Sequence, residues 1–382
     1  MLFRAPPVRL QPFFGCRSRT RLLLGARALR STLSDFAGAR GDEGGGRLGT
    51  VRTMWRQFAS REVPGVAVTL ELAAGGRTVL SATEVTDSDG FVRFDLPLDP
   101  AMDLPGDPVW EVARLHWRNR DGPQACDAHL LVPGTATRLA VISDIDDTIV
   151  ETGITGGVRA VLGNLRRVLA QLPDERIAVA GVQPFYGDLG GGEVAGPATG
   201  AAGAKLADTR IAATHRPFIY VSSSPWNLFP YLVAFQRSKG LPLGPLLLRN
   251  WGLNRATLGR HGHGAHKEGA IARILALYPD LDFALIGDDT QGDLPAYAAA
   301  ARDYPGRIAA IFIRTTGGAG LSAQEEEARA TITAAGVPLW LGDSWETGRD
   351  FIRSIGVTPG GETEQIVRAV DKVPTRAEGA GP

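Results

Sequence analysis

A chain of 382 residues that is 44% hydrophobic and 21% charged has room for two packed domains and is too apolar to be disordered throughout. Its 41 basic residues balance 41 acidic ones, which argues against a basic footprint for nucleic acid or an anionic membrane spread over the whole surface. Cys16 and Cys126 alone make no disulfide framework and favour a reducing, cytoplasmic setting, and no apolar run reaches the roughly eighteen residues needed to cross a bilayer.

The first 34 residues hold seven arginines, several serines and no acid before Asp35, a composition that fits a mitochondrial transit peptide. Between Thr53 and Ala140 short β-type runs succeed one another: Gly65 to Ala73, Arg77 to Ala82, Phe91 to Leu96, Trp110 to Trp117 and Ala128 to Val132. Their lengths and turn residues predict a small antiparallel sandwich within an N-terminal domain of residues 1–138. The segment Pro64 to Leu70, with Thr86-Asp87-Ser88-Asp89-Gly90-Phe91, is similar to a transthyretin-like module. Asp87 and Asp89 lack the remaining oxygens of a calcium loop, so a hairpin turn is expected there.

From Ala140 onward strands alternate with helical stretches, the pattern of a mainly parallel sheet covered on both faces. Strands are expected to begin near Leu139, Phe218, Leu246, Phe283, Ile308 and Pro338, with helices over Pro225–Lys239 and Lys267–Tyr278. This domain spans 139–358, with an insertion near 151–216 that reads as a short cap and a mobile loop, and residues 359–382 read as a disordered tail.

Four segments in this domain carry chemistry. Val141 to Val150 is an apolar strand running into Asp144-Ile145-Asp146-Asp147-Thr148. A carboxylate is ionised near neutral pH and can attack phosphorus without a base once its charge repulsion is screened, while a second carboxylate two residues on can manage protons. Phe218 to Ser224 is a β-run ending in hydroxyls, Lys267 comes directly after His266, and Phe283 to Asp293 is a strand ending in Asp288-Asp289-Thr290-Gln291-Gly292-Asp293. Singly, each has a plain structural explanation. DIDDT is an Asx-rich turn, Ser-Ser-Ser-Pro225 is an N-cap with proline at the first helical position, Lys267 is a surface lysine, and the acids complement a helix start. Together they fall at strand ends and helix starts, the crevice side of an open α/β sheet, where hard oxygen ligands suit Mg²⁺.

The order DIDDT, VSSS, HK, GDDTQGD resembles the haloacid dehalogenase superfamily. SDIDDTIVETG, RPFIYVSSSPWNL, LPLGPLLLRNWGL, HKEGAI and GDDTQGDLPAY resemble its phosphatidate phosphatase catalytic domain family, over roughly Ala140 to Ile355. The resemblance implies a Rossmann-like parallel sheet and a phosphatase that converts phosphatidate to diacylglycerol. Asp144 would be the nucleophile, Asp146 the general acid and base, Thr148, Ser222, Ser223 and Lys267 the phosphate binders, and Asp144, Asp146, Asp288 and Asp293 the Mg²⁺ site. A small residue is usual where Asp289 stands, so Asp288 and Asp289 compete as metal ligand. Pro12 to Arg27 resembles the N-terminal extension of bacterial members, which favours a folded segment over a transit peptide.

His261, His263 and His266 form a histidine-rich stretch read as a flexible loop rather than a zinc site. Trp226, Phe229, Tyr231, Trp251 and Arg249 flank the serines and are weighed between core and a lipid-facing surface, the latter implying peripheral membrane contact. The alternatives are a phosphatase of a soluble metabolite and a non-catalytic scaffold.

Overall fold

The computed structural model describes residues 6–30, 61–74, 76–146, 148–149, 178–193, 211–249, 261–290, 292–315 and 320–357. They form two sheets. The first has nine strands: β1 (Val8–Pro12), β2 (Gly15–Arg17), β3 (Arg21–Arg30), β4 (Arg61–Glu62), β5 (Ala67–Ala74), β6 (Arg77–Val85), β7 (Phe91–Pro97), β8 (Val109–Asn119) and β9 (Gly122–Val132). They run in the order β1-β3-β2-β9-β8-β5-β6, with β4 and β7 paired to β3. Every described pairing is antiparallel except β2 with β9. The inward residues Leu22, Leu24, Ala26 and Ala28 of β3 share one core with Phe94 of β7, Leu70 of β5, Leu115 of β8 and Leu130 of β9.

Residues 8–30 are thus strands of the folded molecule, as the resemblance of Pro12 to Arg27 implied. β9 begins six residues before the Ala128 expected, because its polar first half is held by an unbroken ladder from Asn119↔Gly122 to Val109↔Val132. The Asp87–Gly90 segment is a turn in which Asp87 Oδ1 accepts from the Asp89 and Phe91 amides at 3.0 and 2.8 Å. It is not a hairpin: β6 pairs with β5 and β7 with β3.

The second sheet is parallel, with β10 (Leu139–Ser143), β11 (Phe218–Pro225), β12 (Leu246–Arg249), β13 (Asp282–Asp288), β14 (Ile308–Arg314) and β15 (Leu339–Gly342). Strand alternation divides its side chains cleanly. Val141, Ile286 and Phe312 face one core, and Ile142, Leu285 and Ile311 the other. The first core is covered by α1 (Val182–Gly190), α2 (Phe229–Ser238) and α6 (Trp345–Ser354), and the second by α3 (His261–Leu277), α4 (Asp293–Asp303) and α5 (Ala323–Ala334). The order β12-β11-β10-β13-β14-β15 means that the chain leaves β10 in one direction, then returns and continues on its other side. The carboxyl ends of β10 and β13 therefore lie at a topological switch point, the place where open α/β sheets build their sites.

Two expected helices differ from those observed. Ser222-Ser223-Ser224 do not cap a helix: β11 continues through them to Pro225, a 3-10 turn covers Trp226–Leu228, and α2 begins at Phe229 without a side-chain cap. α3 begins at His261 rather than Lys267, so the histidine-rich stretch is helical backbone and Lys267 lies in the second turn. Most of the insertion, the tail after Val357 and Trp251 lie outside the described residues. No described helix is long and apolar enough to cross a membrane.

Candidate active site

The site is built from strand ends and the helices that cover them. Asp144 comes directly after β10, and its amide donates to the Ile286 carbonyl at 2.8 Å, which fixes the carboxylate beside the end of β13. Ser143 Oγ lies 2.6 Å from both the Asp144 carbonyl and the Tyr186 hydroxyl, so α1 also braces this turn. Asp288 ends β13, where Thr290 donates to its Oδ1 from the backbone amide at 2.6 Å and from Oγ1 at 2.5 Å. Asp293 opens α4 after Gly292, whose φ of 77° suits glycine, and its Oδ2 reaches back to accept from the Asp288 amide at 3.0 Å. Gly287 leaves the space for this return: a Cβ there would stand 2.4 Å from Asp293 Oδ2.

Asp144, Asp288 and Asp293 are all buried, and each offers an oxygen within 4.8 Å of the others. Lys267 comes in from α3. Its Nζ is 3.0 Å from Asp144 Oδ1 and hydrogen bonds Asp293 Oδ1. Asp144 Oδ1 has the ion pair but no aligned hydrogen bond. Thr148 Oγ1 donates to Asp288 Oδ2 at 2.9 Å and lies 3.5 Å from Asp144 Oδ2.

Burial dominates the electrostatics. Loss of solvent, reinforced by the Asp293 and Asp288 charges and opposed by Lys267, pushes Asp144 well above the usual carboxylate range. Asp288 is pushed up to about 7 by burial and by Asp293. For Lys267 burial favours loss of the proton, but Asp144, Asp293 and Asp288 together outweigh it and hold the ammonium firmly charged. Three buried carboxyl groups share one ammonium, and hard oxygen donors that resist ionising without further positive charge form a set that fits a divalent cation.

A second group adjoins the first. Asp146 accepts from Ser222 Oγ at 2.7 Å and from Ser224 Oγ at 3.0 and 3.2 Å, while Ser222 Oγ accepts from the Ser224 amide at 2.9 Å. Asp146 was expected among the metal ligands, but it stands outside the three-carboxylate group because its oxygens are turned to these serines. Ser222 and Lys267, expected to bind phosphate, here donate to carboxylates. Ser223 is buried beside them. Asp288, not Asp289, joins the carboxylate group; Asp289 is half-buried, and its amide bonds the Arg314 carbonyl. Ser224 and Thr290 belong to the site although sequence reasoning passed over them, and only their places inside the recognised motifs marked them.

Of the aromatic residues, Trp226, Phe229 and Tyr231 resolve toward core, and Trp251 lies outside the described residues. Phe229 and Tyr231 are buried, and half-buried Trp226 has its ring 4.3 Å from that of Phe13. They do not form an open lipid-facing surface, because the nine-stranded sheet packs against them.

Residues 139–315 match the family described as "Phosphatidate phosphatase APP1, catalytic domain", in agreement with the phosphatidate phosphatase resemblance read from the motifs. The chain is 27% identical over 273 residues to Phosphatidate phosphatase APP1 of Saccharomyces cerevisiae, a match covering 67% of this chain and 39% of that protein. It is 29% identical over 178 residues to an uncharacterised protein of Schizosaccharomyces pombe, covering 46% and 25% respectively. The chain thus spans well under half the length of the curated relatives it matches. Among solved structures, Bacteroides uniformis beta-glucuronidase shares 9% identity at a TM-score of 0.24, covering 87% of this chain and 39% of that one, too little to bear on fold or function.

Proposed function

We propose that this chain is a Mg²⁺-dependent phosphatase that hydrolyses a phosphomonoester through an aspartyl-phosphate, with phosphatidate as substrate and diacylglycerol as product. The observation that carries this reading is Asp144 beside Lys267 and two further buried carboxylates, one at a strand end and one at a helix start, within the segment that matches the phosphatidate phosphatase family. We read the parallel sheet as the haloacid dehalogenase type of Rossmann fold, and the nine strands before it as a transthyretin-like sandwich, with domains of residues 1–138 and 139–358. The resulting picture is a cytoplasmic enzyme that meets a phospholipid peripherally at a membrane.

In this mechanism Asp144 attacks phosphorus in line and the bond to the leaving oxygen breaks. Asp146, presented by Ser222 and Ser224, donates a proton to that oxygen. It then takes a proton from the water that hydrolyses the acyl phosphate, which returns Asp144 as a carboxylate and releases phosphate. Lys267 holds Asp144 in place and keeps a fixed positive charge at the transferring group. Bound by Asp144, Asp288 and Asp293, Mg²⁺ would supply the charge neutralisation that lets an anionic nucleophile approach an anionic phosphate.

The test is Mg²⁺-dependent phosphate release across phosphatidate, lysophosphatidate, diacylglycerol pyrophosphate and soluble phosphomonoesters, wild type beside Asp144→Asn. Release from phosphatidate by wild type alone is expected. Wild-type turnover in a folded Asp144→Asn would remove the mechanism, and strong preference for a soluble ester would remove the lipid substrate.

A further inference from the structure

The two sheets meet at the segment just after the serines. β11 and β12 pair in register through Ser222↔Leu248, then shift before Pro225↔Arg249, so Ser223 and Ser224 fall in an irregularity where the ladder does not set their position. Such bulges re-aim side chains, and here Ser224 is aimed at Asp146. Beyond the irregularity, the chain is gripped by the nine-stranded sheet. Trp226 packs on Phe13 at 4.3 Å and on Phe91 at 6.0 Å, and Phe229 lies 5.0 Å from Phe13 and 5.5 Å from Phe14. Between Trp226 and Leu228, Asn227 Oδ1 accepts from Arg27 Nη1 at 2.5 Å.

Arg27 is itself fixed on every side. Its Nε donates to the Asp89 carbonyl at 3.2 Å, its Nη2 pairs with Glu62 at 2.8 Å, and its guanidinium carbon lies 4.6 Å from the Phe91 ring centre. The residue is 9% exposed, on the strand that pairs with β1, β2, β4 and β7. A planar fork with several donors suits this task better than a point charge.

We propose that Arg27, through Asn227, is a positioning residue for the proton-transfer group: the nine-stranded sheet sets the Ser222–Ser224 turn and so the aim of Asp146. This rests on the reading of Asp146 as general acid and base. Asp146 has no other described hydrogen-bond donors than Ser222 and Ser224, so movement of that turn releases the carboxylate.

Arg27→Lys keeps the charge and loses the fork, and Asn227→Ala removes the acceptor from the opposite side should the first variant fold poorly. Full-length proteins are compared by hydrogen exchange of the peptide covering 222–228, and by kinetics on phosphatidate in mixed micelles and on p-nitrophenyl phosphate. Faster exchange at 222–228 is expected at unchanged protection of β13, with kcat on phosphatidate down about ten- to a hundredfold and KM within about twofold. The loss in first-turnover release of p-nitrophenol should be much smaller, because that leaving group needs little acid assistance, whereas hydrolysis of the shared aspartyl-phosphate, with Asp146 as base, slows for both esters alike. Unchanged exchange at 222–228 in both variants, or equal losses in the first-turnover release of the two leaving groups, would overturn the positioning role. Inactivity of the wild type on both esters would instead remove the phosphatase reading, a failure separate from that of the exchange result.

Discussion

Lys267 Nζ stands 3.0 Å from Asp144 Oδ1 with both side chains 1% exposed, so the partner of the proposed nucleophile is an ammonium sealed from water and supplied by a helix that covers the sheet. Removing one member of a buried pair leaves the other charge uncompensated, at a cost of about 3–5 kcal/mol. Lys267→Met is therefore expected to melt well below wild type in chelator. Adding Asp144→Asn should recover part of that loss, because it removes one of the stranded carboxylates. Thermal melts of the single and double variants check this, and a double variant no more stable than Lys267→Met would contradict it.

Asp288 supplies a pH dependence. Its proton affinity is raised in the folded protein by burial and by Asp293, to about 7, so the metal-free fold holds its proton where the unfolded chain has released it. That contribution to stability is complete below about pH 4, the range of an unperturbed aspartate, and is lost as pH rises through about 7. Asp288→Asn keeps an acceptor for Thr290 and cannot ionise. Its melting temperature in chelator should gain on wild type between about pH 4.5 and 7.5, with the gap widening upward; a gap that narrows with pH would reverse the sign. The same proton should compete with Mg²⁺, so wild-type affinity for the cation rises across this window.

Gly287 is a packing requirement of the site. An alanine Cβ would meet Asp293 at 2.4 Å from Oδ2 and 2.7 Å from its Cβ, and the start of α4 would have to give way. Gly287→Ala is expected to cost about 1–3 kcal/mol and to raise the Mg²⁺ concentration needed for half-maximal phosphate release. Calorimetry and a metal titration read the two effects together. Unchanged metal dependence would mean that Asp293 does not serve the cation.

Trp226 is expected to behave as a packing residue. Truncation to alanine empties the space between Phe13 and Phe91 and should cost about 3 kcal/mol. Its effect on turnover should be equal on micellar phosphatidate and on a soluble alkyl phosphate with an equally poor leaving group, measured where both proteins are folded. A loss confined to micelles would restore a lipid-contacting role.

Much of the site was legible because its chemistry is written in short segments. An apolar run that ends in Asp144-Ile145-Asp146 or in Gly287-Asp288 specifies a buried strand and a carboxylate at its end, and the six parallel strands begin within a residue of where their apolar runs predicted. Pairings between distant segments were not legible. Ser222-Ser223-Ser224-Pro225 reads locally as a helix cap, yet tertiary contact with Asp146 and pairing of Ser222 and Pro225 with β12 on either side of the irregularity keep it in a strand. His261 to His266 reads as a loop because two glycines weaken a helix, yet the stretch continues the helix of Lys267. Trp226 carried no local sign of its neighbours, since Phe13 lies more than two hundred residues away in a segment whose apolar side chains could have found many partners. Backbone periodicity and turn chemistry act over a few residues, so the chain alone specified which groups are present and at which strand ends they fall. Which carboxylate each donor meets, and that the nine-stranded sheet grips the serine turn, emerged on folding, because burial selects among partners that local sequence leaves equivalent.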